Sequence, residues 1–368
     1  MNIKTITCHD VYNSGASLQA YALQTYLESL GNCVEIINYK PDYLSKNYSL
    51  TAVNNPAFDK ILLKQIYLLM KLPERLKNLK SERKQNFDSF TKQRLHLTKK
   101  YSSIEELRNN PPTADVYFAG SDQIWNTFFQ NGKDPSFYLD FGAENTIKAS
   151  YAASFSTTSV PNEYKSQIKQ WLSNFNFISV RESSGLDILE SLGIKNGVQV
   201  MDPVFLLESS AWEQMCTYNT GNDEYILVYD FDGNDKIAEF AKMAADKTGK
   251  KIYSIQQLGY ADKCFINAGP VEFISLIHNA SYVISNSFHA TAFSIIFEKE
   301  FWVFNRGEKI NTRMRDLTAS LGIIERLVND KSDFSIENNI DYISVKKLLN
   351  PIIDLSKNYI KDVCNYKM

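Results

Sequence analysis

The run Ser285-Asn286-Ser287-Phe288-His289-Ala290-Thr291-Ala292 closes an apolar stretch and opens a helix-like one, with His289 in the first turn. An imidazole in that position can hold or pass a proton near neutral pH, and a bound phosphate or carboxylate favours its charged form. A second run, Gly120-Ser121-Asp122-Gln123, follows the apolar Phe118-Ala119 and precedes Ile124-Trp125-Asn126. Gly120 permits close backbone approach, while Ser121, Asp122 and Gln123 carry donors and acceptors to a cleft edge. The plainer alternative is a turn in which Asp122 caps a short helix. Asn13-Ser14-Gly15 lies between the first strand-like and first helix-like runs. A helix start there offers free N–H groups to an anion, although any short turn favours the same residues. Arg181, Arg306 and Arg313 fall just beyond strand-like runs and are candidate anion clamps. Pairing of Arg181 with Glu182 or Asp187 is the structural alternative.

Other chemistries find little support. There is no H-E-x-x-H and no close His/Cys set, so no metal site is expected. Asp230-Phe231-Asp232-Gly233 reads as a turn and helix cap rather than a metal pair. G-x-S-x-G and G-x-G-x-x-G are both missing, which leaves no serine nucleophile elbow and no dinucleotide fingerprint. The five cysteines are scattered, with no C-x-x-C, and Cys8-His9 are neighbours that a strand would point to opposite faces. A reducing cytoplasm is the expected setting. The start lacks a signal-peptide core, and no run of apolar residues is long enough to span a bilayer.

These residues need elements to hold them. Ile3–Cys8, Val34–Tyr39, Asp115–Ala119, Lys148–Ala153, Phe177–Val180 and Val198–Met201 read as strands, with helices over Ala16–Leu30, 162–174 and 183–191. The rhythm restarts with strands at Tyr225–Tyr229, Lys251–Ile255, Ser281–Ser285 and Phe301–Phe304. Helices are expected at Asp235–Thr248, Val271–His278 and Phe288–Glu298. Alternation of this kind means parallel strands with crossover helices. The expected fold is α/β, with two doubly wound units. They are placed at 1–205 and 206–335, with a seam near Asp202–Ser210. A C-terminal helix within 336–368 would pack back on the first domain.

The 368 residues suit about two domains. Forty Lys+Arg against 42 Asp+Glu argues against a protein that coats nucleic acid. The charge is uneven, however. Residues 57–100 hold 12 basic and 4 acidic residues, a net of +8, so the remainder carries −10. Within them, nine of the twelve residues of Ile61–Leu72 are apolar, followed by Pro73 and a charged helical pattern to Leu95. The expected role is a helical insertion whose apolar face packs on the first domain. A sharper alternative is a surface meeting an anionic membrane or a lipid-diphosphate acceptor, with the chain at the inner face of the membrane.

Taken together, NSGASLQAYAL, AGSDQIWN, SVRESSGLDIL, MDPVFLL and SNSFHATAFSIIFEKEFWVF resemble the polysaccharide pyruvyltransferase family, over about Ile3 to Leu327. The resemblance implies a glycosyltransferase-B-like fold, with two doubly wound Rossmann-like domains facing across a cleft, without cofactor or metal. It implies transfer of pyruvate from phosphoenolpyruvate, as a ketal, to a sugar or lipid-linked oligosaccharide of a cell-surface polysaccharide pathway. His289 matches the family's His, and Arg181 matches an Arg of its donor site. The family has an Arg two residues before that His, and this chain has Ser287. Arg313 or Arg306 would take over its role. On this basis His289 is the expected acid and Asp122 the acceptor-side base or orienter. Arg181, Arg306, Arg313 and Ser287 would bind the donor, with Asn13, Ser14, Gly15, Gly120, Ser121 and Gln123 lining the first-domain wall. The alternatives are a nucleotide-sugar-dependent glycosyltransferase of the same architecture, and a non-catalytic glycan-binding member of a biosynthetic complex.

Overall fold

The computed structural model describes residues 1–44, 48, 50, 53, 61–306, 312–329, 335–336 and 339–366. The first half runs β1 (Asn2–Ile6), α1 (Ser14–Ser29), β2 (Cys33–Tyr39), α2 (Ile61–Leu79), α3 (Glu82–Arg94), β3 (Leu97–Tyr101), α4 (Ile104–Asn109), β4 (Val116–Ala119), β5 (Ile147–Ser150), α5 (Asn162–Leu172), β6 (Ile178–Val180), α6 (Ser183–Ser191) and β7 (Gly197–Gln199). Its sheet has the order β3-β2-β1-β4-β5, all parallel. The parallel pair β6-β7 continues it through bridges at Ala149–Phe177 and Ala153–Val180.

After α7 (Ser209–Glu213) the plan repeats. The second half runs β8 (Tyr225–Tyr229), α8 (Asp235–Thr248), β9 (Lys251–Ser254), β10 (Lys263–Cys264), α9 (Pro270–Asn279), β11 (Tyr282–Ser285), α10 (Phe288–Ile296), β12 (Glu300–Phe304), α11 (Thr312–Ser320), β13 (Leu327–Val328) and α12 (Tyr342–Asn365). The order β10-β9-β8-β11-β12-β13 is again all parallel. Strand β8 is buried along its whole length, as expected where helices cover both faces of a parallel sheet.

In each sheet the strand order reverses beside the first strand: between β1 and β4, and between β8 and β11. Ligand crevices form at such points, outside the carboxyl ends of the strands. The loops entering the two crevices carry Asn13–Gly15 and Gly120–Gln123 in one half, and Asp230–Asn234 and Asn286–Ser287 in the other.

The halves share an apolar seam. Leu18 and Ala22 of α1 belong to the same buried cluster as Phe273 of α9 and Phe293 of α10. Trp212 sits between them, edge-on to Tyr21 at 5.8 Å and to Phe293 at 4.9 Å. Helix α12 packs on the first half: the Ser356 hydroxyl accepts from the Met201 amide, Tyr359 donates to the Ser150 carbonyl, and Ile360 and Val363 join Ile3 and Leu23 in one core.

The basic insertion behaves as two different helices. Helix α3 is docked: Phe87 and Phe90 are buried, and Arg83 donates to the carbonyls of Tyr12 (3.0 Å) and Ala268 (2.8 Å), one in each half. Helix α2 runs through Pro73 rather than stopping there, and ends before Ser81, whose hydroxyl caps α3. Its Leu63, Ile66, Leu69, Met70 and Leu76 are exposed. The expected inward packing of an apolar face therefore does not hold for α2. Among the described residues, no helix is long and apolar enough to cross a membrane.

Candidate functional site

Helix α1 begins at Asn13, whose side chain accepts the Ala16 amide, and α10 begins at Ser287, whose hydroxyl accepts the Ala290 amide. Both N-termini point into the crevice between the halves, and they touch. A Cβ on Gly15 would lie 2.1 Å from Nδ1 of His289, so only glycine lets the imidazole rest on α1. The absent side chain at Gly120 serves packing instead: a Cβ there would meet Thr7 at 3.1 Å and the Ile6 carbonyl at 3.2 Å.

A buried charge cluster surrounds His289. Arg181, at the end of β6, places Nη1 2.5 Å from Asp202 Oδ2 and Nη2 3.5 Å from Asp122 Oδ1. Its Nε stands 4.0 Å from Glu182 Oε2. The Nε2 of His289 lies 3.6 Å from the same Asp202 oxygen, which also accepts from the Ser121 hydroxyl at 3.2 Å. Arg313 of α11 approaches Asp122 at 3.8 Å. Both guanidiniums lie against the Phe288 ring, at 4.6 Å for Arg181 and 5.6 Å for Arg313. Arg181 thus pairs mainly with Asp202, then with Asp122, and only distantly with Glu182. The β-side of the cluster (Asp122, Arg181, Asp202) comes from the first half. His289, Phe288 and Arg313 come from the second.

The charges are unequally matched. Burial opposes ionisation of Asp202, but His289, Arg181 and the Val204 amide outweigh it and hold the carboxyl well below the usual range. Burial likewise disfavours the Arg181 cation, yet Asp202, Asp122 and Glu182 more than offset this and push its pKa up. Arg313 is pushed down to about 10, by burial and then by the neighbouring Arg181. Nε2 of His289, Nε and Nη2 of Arg181 and Nε of Arg313 are buried without a hydrogen-bond partner among the described residues. Buried donors are rarely left unpaired, and several together on cationic side chains describe an anion site.

Asp122 stands at the border of this cluster and a larger cleft of about 820 Å³, walled also by Cys8, Tyr43, Gln123, Phe129 and Asn131. Its backbone is left-handed, with φ +71°, rather than the helix-capping conformation considered from sequence. Tyr12 after β1, and Ala152 and Ser156 after β5, also have positive φ, at +53°, +51° and +57°. Such backbone costs about 1–3 kcal/mol per residue and gathers at functional sites.

The remaining expected residues divide. Ser14 is buried in the first turn of α1, and Gln123 lines the large cleft while accepting from Asn126. Arg306 lies over the Phe231 ring at 4.5 Å, near enough to Arg313 to lower its pKa, but outside the ion pairs with Asp122 and Asp202. Asp230 accepts from the Asp232 and Asn234 amides, and Asn234 caps α8, as the turn reading of that motif requires. Among the described residues, no group of three His, Cys, Asp or Glu side chains could hold a metal ion. Sequence reasoning missed Asp202, and named Glu182 only as a structural partner of Arg181. Asp202 had been placed at the domain seam. The signal available was a lone carboxylate in the apolar run Val198–Leu207, at the end of a strand.

Two doubly wound parallel sheets with a cation-lined crevice between them define a two-domain α/β protein of the glycosyltransferase-B type. Solved structures share that architecture. One described as a UDP-N-acetylglucosamine 2-epimerase from Listeria monocytogenes is 10% identical, with a TM-score of 0.54 and coverage of 100% of this chain and 97% of that one. The S. aureus MnaA–UDP complex is 12% identical, with a TM-score of 0.50 and coverage of 99% and 97%. Identities this low carry the fold alone. No curated protein matches by sequence. The family model for polysaccharide pyruvyl transferases matches residues 13–308, and the chain belongs to that family. It is accordingly a transferase of polysaccharide modification.

Proposed function

We propose that this protein transfers the pyruvyl group of phosphoenolpyruvate to a sugar of a cell-surface polysaccharide or its precursor, closing a cyclic ketal. The observation that carries the reading is the set of donor nitrogens on His289, Arg181 and Arg313 that make no hydrogen bond among the described residues, buried together between the two halves. A small, multiply charged anion would satisfy them. Arg313 stands in for the Arg that Ser287 replaces, because it shares the Phe288 ring and the Asp122 partner with Arg181.

In the reaction, a proton adds to the methylene carbon of the enol ester, and the cation at the adjacent carbon is attacked by a sugar hydroxyl. The carbon–oxygen bond to phosphate then breaks, and a second hydroxyl closes the ring. The two hydroxyl protons end on the new methyl group and on the released phosphate. His289 Nε2, facing Asp202, donates the proton. Arg181 and Arg313 hold the carboxylate and phosphate and follow the charge to the leaving group. Asp122 accepts a hydrogen bond from the attacking hydroxyl of a sugar seated in the large cleft. The apolar seam and the strapping by α3 keep water from the cation. The chain's own cations serve the donor, so no cofactor is needed, and use of phosphoenolpyruvate sets the reaction in the cytoplasm.

The test is incubation with phosphoenolpyruvate and a panel of glycan acceptors. Inorganic phosphate and sugar-bound pyruvate should appear in equal amounts. His289→Asn should cut turnover by at least about 100-fold while retaining donor binding. Unchanged turnover in that variant would remove the proton-donor role, and release of nucleotide from a nucleotide sugar would mark a glycosyltransferase instead.

A further inference from the structure

Helix α2 is amphipathic with its faces reversed. A helix on a globular protein normally turns its apolar stripe inward. Among the described side chains of α2 the one that is fully buried is a cation: Arg75 is 5% exposed and donates to the Leu50 carbonyl at 3.1 Å, while Tyr67, Leu68 and Leu79 are half-buried. The outward side carries Leu63, Ile66, Leu69, Met70 and Leu76, which fall within about 140° of the helix circumference at 100° per residue, with Leu69 69% exposed and Met70 76%. A contiguous exposed patch of this kind marks an interaction surface, unlike a single exposed leucine. Lys64, Lys77 and Lys80 are exposed along the same helix and just beyond its end.

We infer that α2 docks this protein on an anionic lipid bilayer, its leucine–methionine stripe entering the headgroup boundary and its lysines meeting acidic headgroups. Charge selects this occupant. A second copy of the chain, packed symmetrically through α2, would set lysines against lysines. Residues 61–80 hold five basic residues (Lys64, Lys71, Arg75, Lys77 and Lys80) and one acidic residue (Glu74), so an anionic surface attracts this helix, while the chain as a whole is net acidic. The helix is also well placed for a lipid-borne acceptor. Arg75 ties it to the Leu50 carbonyl, and Leu44 and Val53, near Leu50 in the sequence, line the large cleft.

The experiment is co-sedimentation of the full chain with vesicles of phosphatidylcholine alone, and with vesicles containing about one quarter phosphatidylglycerol. Binding to the anionic vesicles should exceed binding to the neutral ones by at least about tenfold and weaken with salt. Leu69→Glu with Met70→Glu should remove about nine-tenths of that binding without shifting the thermal midpoint, since both side chains are exposed. Replacing Lys64, Lys77 and Lys80 with Gln should abolish the preference for anionic lipid. Equal sedimentation of the parent and the Glu variant would overturn the inference. So would absence of binding to either vesicle, including the case in which the parent self-associates and the Glu variant does not. None of these readouts involves pyruvyl transfer.

Discussion

Asp202 holds the site together, because one carboxylate faces both Arg181 and His289 in a place closed to water. Removing its charge leaves the Arg181 guanidinium buried without its main counter-ion. Asp202→Asn should therefore destabilise the protein by about 3–5 kcal/mol, measured by denaturant unfolding near neutral pH. The sign of the pH dependence follows from the depressed pKa in the folded state. The stabilisation is complete above the unfolded-state value of about 3.9 and is lost as pH falls below it, toward the folded value. The stability difference between parent and variant should be flat above about pH 5 and shrink on acidification. A difference that grows on acidification would contradict the pairing. Arg313 is the opposite case: with its pKa pushed down to about 10, the folded protein disfavours its charge until an anion arrives. Arg313→Met should leave the ligand-free melting temperature unchanged or raise it by roughly 2 °C, while erasing any stabilisation by phosphoenolpyruvate. A large loss of ligand-free stability would show that Arg313 is a structural ion-pair partner instead.

At the scale of elements, the site depends on two helix starts meeting nose to nose. Gly15→Ala would drive a methyl group into the His289 ring. The variant should fold, lose about 1–3 kcal/mol from overpacking, and fall about 100-fold in turnover as the imidazole is displaced. Retention of full turnover would mean that His289 need not rest on α1. The sequence showed the α/β alternation clearly, because β4, β8 and β11 are unbroken apolar runs bounded by turn residues, and α1 and α10 open on Asn13 and Ser287. It also showed the loops that carry Asp122, Arg181 and His289, since each directly follows such a run. The short edge strands β10 and β13, two residues each, have too little pattern to read. Leu97–Tyr101 is half polar because it lies at a sheet edge, and it too went unread. Asp202 escaped notice because its partners come from 21 and 87 residues further along or back in the chain, a proximity that only the closed fold creates. The outward face of α2 escaped for a different reason: apolar periodicity reports an amphipathic helix but not which way it faces.

The whole molecule presents one crevice built from two domains, with neither half complete alone. The first supplies Arg181, Asp122 and Asp202, and the second supplies His289, Phe288 and Arg313. Arg83 bridges the loops of both, and the Ser183 amide and hydroxyl donate to Asp316 across the same divide. An anion bound among these residues joins the halves and resists their separation. The direct measurement is thermal unfolding of the full chain with phosphoenolpyruvate and, separately, with a panel of nucleotide sugars. A ligand that binds only the folded protein stabilises it by about 2.7 kcal/mol at 100 times Kd. Phosphoenolpyruvate should raise the melting temperature by several degrees in the parent and not in Arg313→Met. No shift with phosphoenolpyruvate, alongside a shift with a nucleotide sugar that is then cleaved to free nucleotide, would contradict pyruvyl transfer at this site.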